Sequence, residues 1–160
     1  MKRDGDQTFE PPESVKRHFA IVCARFHPDI ADLLVDGATR ALRRCKVADE
    51  NVSLFEVPGC FELPLACHTL IKTDRFDALV ALGVVIRGET PHFNYVAGEC
   101  ARGIMDVQLS TGTPIGFGVL TTENVAQALQ RASFDGGDKG YAAAIAAAVM
   151  VEELNQLGRI

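Results

Sequence analysis

The chain has 160 residues, of which 48% are hydrophobic and 23% charged, and a formal net charge of −5 at pH 7. This length and composition predict a single globular domain, and the acidic balance argues against a nucleic-acid-binding protein, which would present a basic face. No apolar run approaches the roughly 20 residues that a transmembrane helix requires, and the polar N-terminal stretch has no apolar signal core. We therefore expect a cytoplasmic protein without a membrane or nucleic-acid partner, in which a local group of cations holds any anionic ligand.

Residues 1–17 are rich in charge, proline and glycine and show no periodicity, so they are expected to form a flexible arm ahead of one domain over residues 18–160. Beyond this arm, short apolar strands alternate with amphipathic helices. Strands are predicted over residues 18–24, 51–57, 78–86 and 114–120, and helices over residues 28–46, 61–72, 91–111, 123–132 and 139–157. This alternation predicts an α/β fold built from βαβ units, a flavodoxin-like three-layer α/β/α sandwich with a four-stranded parallel sheet.

The most informative segment, LGVVIRGETPHFNYV at residues 82–96, joins the third strand to the third helix. Thr90 suits an N-cap and Pro91 the first helical position, so His92 is expected in the first helical turn. The carboxyl end of a parallel strand is where open α/β sheets bind ligands, and free N–H groups at a helix start can hold a phosphate. The positive end of the helix favours a neutral imidazole, which can accept a proton. Alternatively, His92 is an exposed residue of the first turn without a role.

Two other strand ends carry candidate ligand-binding residues. Phe26, in the sequence Arg25-Phe26-His27 after the first strand, either stacks on a planar ligand or closes the top of the core. The second strand leads into VPGCFELP, residues 57–64, whose Pro-Gly turn lets backbone groups approach a ligand closely. Glu62 in this segment either accepts hydrogen bonds from ligand hydroxyls or is an ordinary acidic residue at a helix start.

The C-terminal third supplies an aromatic residue and two cations. Phe117 lies between glycines in PIGFGVL and is placed either at a cleft or in the core. Arg131 ends the fourth predicted helix, which Thr122 could cap, and Lys139 begins the last helix. A guanidinium suits a phosphate dianion, although cations near a helix C-terminus are often only partners of the helix dipole.

The chain shows no pattern typical of a metal or nucleotide cofactor site. The five cysteines form no C-x-x-C pair and no zinc spacing, so reduced, buried thiols are expected. Cys60 falls on a candidate site loop, but no histidine lies near it in sequence and it is not expected to be a nucleophile. Neither a G-x-G-x-x-G fingerprint nor a Walker A loop is present.

Five strings, ARFHPDI, VPGCFELP, LGVVIRGETPHFNYV, PIGFGVLTTENVAQALQRA and GGDKG, together resemble the motifs of the lumazine synthase family in order and spacing across residues 24–140. The resemblance implies a transferase of riboflavin biosynthesis that needs no cofactor and no metal. Such an enzyme condenses 5-amino-6-(D-ribitylamino)uracil with 3,4-dihydroxy-2-butanone 4-phosphate and releases 6,7-dimethyl-8-ribityllumazine, phosphate and water.

The resemblance also implies a homopentamer whose active sites are shared between neighbouring subunits. In one subunit, Phe26 would stack on the pyrimidine, Glu62 would bind the ribityl hydroxyls and His92 would move protons. The backbone that holds the ring and chain of the aminouracil would come from Cys60, Phe61, Val84, Val85 and Ile86. Phe117 and Lys139 of the next subunit would complete this site, and the phosphate of the butanone would be held by Gly88, Glu89, Thr90 and Arg131.

The chain departs from the family pattern at three positions near these motifs. Asn94 stands where relatives often carry an acid, Gln130 where many have Glu, and Ser133 where glycine is frequent. By the same resemblance, a short connection such as that from Arg131 to Lys139 is found in members that form sixty-subunit icosahedral shells of twelve pentamers, whereas longer connections accompany simple pentamers. We expect the shell, and the altered loop composition and the N-terminal arm leave the pentamer or decamer as alternatives. Two other functions fit the same scaffold: a flavin or lumazine carrier or shell protein that does not depend on His92, and a phosphosugar isomerase that does not use the aminouracil.

Overall fold

The computed structural model describes residues 9–158. In chain order its strands and α-helices are β1 Phe19–Ala24, α1 Pro28–Arg44, β2 Val52–Val57, α2 Leu63–Ile71, β3 Ala78–Ile86, α3 His92–Thr111, β4 Ile115–Thr122, α4 Val125–Ala132 and α5 Lys139–Leu157. The strands form one parallel sheet in the order β2-β1-β3-β4. The predicted α/β fold with a four-stranded parallel sheet is therefore confirmed.

Helices cover both faces of the sheet, which explains why every residue of β1 is buried. Side chains of a strand alternate between its two faces. Phe19 and Ile21 pack in a core with α1, α4 and α5, whereas Ala20 and Val22 pack in a second core with α2 and α3. The three layers follow from this division, with the sheet between two apolar cores.

Glycines at two contacts of the alanine-rich helix α5 let it lie close to its neighbours. A methyl group added at Gly116 of β4 would lie 2.1 Å from the carbonyl oxygen of Ala143, and one added at Gly140 would lie 2.1 Å from that of Leu34. Both contacts are with backbone atoms, which cannot move aside as a flexible side chain can. Glycine at these two positions therefore sets the distance between α5, the sheet and α1.

We expect Gly116→Ala to destabilise the fold by about 2–3 kcal/mol, since an overpacked core must shift its backbone. Guanidinium chloride unfolding followed by circular dichroism should show a lower midpoint with an unchanged slope. Thr121→Ala, at an exposed position of the same strand, is the control, with an expected change within about 0.5 kcal/mol. An unchanged midpoint for Gly116→Ala would contradict the proposed close packing.

Two predicted helix caps are wrong. α3 begins at His92 and has no side-chain cap, because Pro91 already has helical dihedral angles (φ −66°, ψ 0°) and occupies the N-cap position in place of Thr90. In α4 the cap is Asn124, whose side chain accepts a hydrogen bond from the Gln127 N–H. Thr122 cannot take that position because β4 continues through it.

The chain N-terminal to β1 is attached to the domain from Ser14 onward. Ser14 is buried, and its N–H donates to the carbonyl oxygen of Cys45 at 2.8 Å. The Arg17 guanidinium donates to Glu152 of α5 at 3.1 Å and lies 3.6 Å from Asp77. Residues 1–8 of the predicted flexible arm lie outside the described residues. Among the helices within residues 9–158, none combines the length and apolar character needed to cross a membrane.

Candidate active site

A cleft of about 690 Å³ opens where β1, β2 and β3 end. These strands are neighbours in a parallel sheet, so their carboxyl ends, and the loops that follow them, lie at one edge. Among the residues predicted to form the site, the cleft is lined by Phe26, Cys60, Phe61, Glu62, Val84, Val85, Ile86, Gly88, Thr90 and His92. The structure therefore brings together side chains from three separate sequence motifs.

Phe26 is presented to this cleft and is not part of the core. It follows β1, its side chain is 76% exposed, and its ring packs edge-on against the imidazole of His27 with the centroids 5.1 Å apart. The alternative that Phe26 closes the top of the core is excluded. An exposed ring with a wall of protein on one side is suited to stacking on a planar ligand.

The loop after β2 is anchored by Cys60 and leaves its next two side chains free. The Cys60 thiol is buried and donates to the carbonyl oxygen of Val84 at 3.6 Å. A hydrogen bond with the neighbouring Cys100 thiol and burial both raise the pKa of Cys60, so this thiol stays protonated and is not a nucleophile. Phe61 and Glu62 follow it in a short 3-10 turn and are exposed.

Glu62 points its carboxylate along the cleft. One carboxylate oxygen lies 3.2 Å from where a Cβ of Gly59 would be, so glycine leaves the space beside it. Within residues 9–158, the Glu62 carboxylate forms neither an ion pair nor a protein hydrogen bond. The carboxylate is thus available to accept hydrogen bonds from a ligand.

The loop between β3 and α3 places His92 at the rim of the cleft. The Arg87 N–H donates to the carbonyl oxygen of Thr122 at 2.9 Å, and its guanidinium donates to Glu123 at 2.8 Å. The same guanidinium lies 4.4 Å from the centroid of the Phe93 ring. Arg87 therefore holds the loop to β4 on one side and to α3 on the other.

Beyond Arg87 the loop is open. Gly88 has no atom within 4 Å of an added methyl group, and His92 is exposed, its imidazole having no hydrogen-bond partner in the described part of the chain. Glu89 lies in the same loop but is not among the residues that line the cleft. The loop can therefore offer backbone N–H groups and one imidazole to a ligand.

A second cleft, of about 440 Å³, contains three further predicted site residues. Phe117, Arg131 and Lys139 line it together with small side chains of α5. Phe117 is 46% exposed, which excludes its placement in the core. Among residues 9–158, neither Arg131 nor Lys139 forms an ion pair. Two cations and an aromatic ring thus face solvent, an arrangement suited to a planar anionic ligand.

Apart from Glu89, the predicted site residues of one chain are therefore divided between two clefts. The sequence analysis missed four residues that line the first cleft: His27, Phe93, Tyr95 and Val96. Tyr95 and Val96 lie three and four residues after His92 on α3, so helical spacing from His92 could have found these two. His27 adjoins Phe26 and had been assigned no role.

The three sequence departures lie near these clefts but do not disturb the backbone. Asn94 accepts a long hydrogen bond of 3.5 Å from Arg87. The Gln130 carbonyl oxygen accepts from the Gly137 N–H at 2.8 Å, and that of Ser133 accepts from the Asp138 N–H at 3.1 Å. Only main-chain atoms of Gln130 and Ser133 make these two hydrogen bonds. The bonds are therefore compatible with other side chains at both positions.

Comparison with known proteins places this chain in a family. A family model for 6,7-dimethyl-8-ribityllumazine synthase matches residues 16–155. A 6,7-dimethyl-8-ribityllumazine synthase of Halorhodospira halophila is 48% identical over 139 residues, which cover 87% of this chain and 89% of the relative. Proteins of the same name from Desulfatibacillum aliphaticivorans and Yersinia pestis are 46% and 48% identical, over 88% and 86% of this chain and 90% and 89% of theirs. As its motifs predicted, the chain belongs to the 6,7-dimethyl-8-ribityllumazine synthase family.

Proposed function

We propose that this chain condenses 5-amino-6-(D-ribitylamino)uracil with 3,4-dihydroxy-2-butanone 4-phosphate to form 6,7-dimethyl-8-ribityllumazine. The observation that carries the proposal is the first cleft, where an exposed aromatic ring, a free carboxylate and a free imidazole meet at one edge of the sheet. The aromatic ring suits the flat ring of the aminouracil, and the carboxylate suits the hydroxyls of its ribityl chain. The imidazole can transfer the protons that the reaction moves.

The residues of the cleft would act in a definite order. Phe26 stacks on the uracil and Glu62 accepts hydrogen bonds from the ribityl hydroxyls. The amine of the uracil then attacks the ketone carbon, and water leaves as the imine forms. After phosphate has been eliminated, the ribitylamino nitrogen attacks the remaining carbonyl carbon, and a second water leaves as the ring closes. His92 takes and returns the protons of these steps and of phosphate elimination. Much of the acceleration comes from holding the two reactants together.

We propose that the phosphate binds between two groups. One is the open loop of Gly88, Glu89 and Thr90, and the other is the guanidinium of Arg131. Backbone N–H groups and a forked cation are strong donors to a phosphate dianion. Phe117 and Lys139 would complete the aminouracil pocket on the same side as Arg131. These residues line a different cleft of the same chain, so the proposal requires a second copy.

We therefore propose a homo-oligomer in which the second cleft of one subunit completes the first cleft of the next. Exposed apolar side chains on α2 and α3 support a subunit interface beside the first cleft, since large exposed apolar residues mark association surfaces. Leu65, Tyr95, Met105 and Leu109 are 72%, 71%, 52% and 77% exposed. A pentamer, and a shell of twelve pentamers in view of the short connection over residues 133–138, are the proposed assemblies. Light scattering should give a mass of five subunits or a multiple of five.

Mixing two impaired variants, assayed at a ketone concentration well below the wild-type KM, tests the shared site directly. His92→Ala and Arg131→Ala subunits, assembled together in equal amounts, should recover about a quarter of wild-type activity, because one site in four then joins an intact His92 to an intact Arg131. Each variant assembled alone should stay near its own low activity. Activity in the mixture no higher than the mean of the two variants would contradict a site shared between subunits.

The activity itself is tested by mixing both substrates with the purified protein and following lumazine fluorescence. Omitting the aminouracil should abolish the signal while leaving the phosphorylated ketone unchanged, which separates the synthase from an isomerase acting on that ketone. Absence of lumazine from the assembled wild-type protein would contradict the proposed function.

We also propose that the protein works in the cytoplasm. All five cysteines are free and buried, as predicted. Burial raises the pKa of Cys23 and Cys45 to about 11 and that of Cys67 to about 12, so these thiols remain protonated. A chain that keeps five unpaired thiols is typical of a reducing compartment.

A further inference from the structure

The connection between α4 and α5, residues 133–138, lies between the two cations of the second cleft. Arg131 is in the last turn of α4, and Lys139 is the first residue of α5. The connection folds back on α4, with the N–H of Gly137 donating to the Gln130 carbonyl oxygen at 2.8 Å. The placement of both cations therefore depends on how this connection is held.

Asp138, at the end of this connection, places a carboxylate directly beside Lys139. It adopts the left-handed conformation (φ 44°, ψ 49°) and occupies the N-cap position of α5, yet its side chain makes no cap hydrogen bond. Its two carboxylate oxygens instead accept hydrogen bonds from Arg40 of α1, at 3.0 and 2.9 Å. Only 29% of the Arg40 side chain and 19% of the Asp138 side chain are exposed.

Several neighbours hold Arg40 in this position. Its Nε donates to Asp36 at 2.8 Å, and its guanidinium lies 4.8 Å from the Phe134 ring centroid and 5.9 Å from that of Tyr141. A Cβ at Gly37 would lie 2.6 Å from a carboxylate oxygen of Asp138. Glycine in this turn of α1 therefore leaves room for the carboxylate to reach Arg40.

We propose that Arg40 is a positioning residue that masks the charge of Asp138, so that this carboxylate does not weaken the positive field that Arg131 presents to the phosphate of the second substrate. The inference rests on the proposed function. Without the guanidinium, a partly buried carboxylate would compete for the two cations and repel a phosphate dianion, and partial burial weakens screening by water. Asp36 is 65% exposed and is better screened.

Arg40→Met is the main test, because it removes the charge and keeps much of the side-chain volume. The KM for 3,4-dihydroxy-2-butanone 4-phosphate should rise roughly three- to tenfold at low salt, the effect of one nearby partly screened charge. The KM for the aminouracil and the kcat should change less than twofold. The rise in KM should shrink as ionic strength increases, whereas a purely structural defect would not depend on salt in this way.

Asp138→Asn provides the decisive rescue. Asparagine tolerates the left-handed conformation and fills the same space without the charge. In the Arg40→Met background it should restore the KM to within about twofold of wild type, since no carboxylate is left to mask. Arg40→Lys, which keeps a positive charge, should raise the KM less than Arg40→Met. Asp138→Asn alone should lower the KM for the phosphorylated ketone at low salt. This single variant tests the inference even if Arg40→Met does not fold.

Arg43→Met is a matched control, because Arg43 is on the same helix and makes an equivalent two-bond pair with Asp49 at 2.9 and 3.0 Å, away from the second cleft. It should leave the KM unchanged. Titration of the assembled variants with inorganic phosphate should show the same order of affinities without turnover. If the wild type makes lumazine but Arg40→Met keeps its KM, or if Asp138→Asn fails to rescue it, the masking role is wrong. Absence of lumazine from the wild type would instead count against the proposed function.

Discussion

Replacing His92 by alanine is expected to lower kcat for lumazine formation about a hundredfold, near the lower end of what a positioned acid–base group contributes. The imidazole stands at the rim of the cleft without a protein partner in the described part of the chain, so its nitrogens are available to the reactants. The effect stays moderate because an amine and a ketone held side by side already condense more readily than in solution. Stopped-flow fluorescence at saturating concentrations of both substrates measures the change.

The separate effects of His92→Ala on kcat and on KM identify the role of His92. Because His92 is proposed to move protons and not to bind, the KM values should change by no more than about threefold. Added imidazole should restore part of the kcat of His92→Ala. His68→Ala is the matched control, since His68 lies near the end of α2 and does not line the cleft. A full kcat in His92→Ala would remove the imidazole from the mechanism.

Arg131→Ala is expected to raise the KM for the phosphorylated ketone about tenfold to a hundredfold, which is the loss of a charge-assisted hydrogen bond of roughly 1.5–3 kcal/mol. Arg131 has no acidic partner within residues 9–158, so its guanidinium is free to bind an anion. The KM for the aminouracil should change much less. Initial rates with each substrate varied in turn measure both effects.

Two companion variants sharpen this prediction. Arg131→Lys keeps the charge but loses the planar fork, and it should recover only part of the affinity. Arg44→Ala is the control, because Arg44 is likewise a basic residue in the last turn of its helix, α1, and is exposed. An unchanged KM in Arg131→Ala would show that the phosphate binds without this residue, and the shared cleft would then need another cation.

Most of the fold could be predicted because local patterns agree with tertiary structure. The nine apolar residues of β3 match their predicted bounds, 78–86, and α5 matches residues 139–157. The errors lie at the ends of elements, among them the C-terminal ends of α1 and β4 and the helix starts, where one residue decides the outcome. Thr90 and Thr122 have good capping side chains, but a helical Pro91 and the longer β4 displace the caps. Local propensity carries no information about where a neighbouring strand ends.

The candidate site was less predictable, because exposure and distance are tertiary properties. The sequence left Phe26 and Phe117 open between core and cleft, and only the packing of the strand ends shows that both are exposed. The Arg40–Asp138 pair joins residues 98 positions apart. No periodicity links such residues, and an aspartate before a helix is ordinarily interpreted as its cap. Long-range side-chain pairs of this kind require the three-dimensional structure.

The separation of the candidate groups into two clefts has a consequence for how the protein would behave at low concentration. On the proposed arrangement, a lone subunit holds the imidazole and the phosphate-binding guanidinium on different parts of its surface and cannot bring them to one substrate pair. Specific activity would then fall as the sample is diluted below the dissociation constant of its contacts. The specific activity would therefore depend on subunit association. A dilution series would measure the activity and the dissociation constant of the subunits in one experiment.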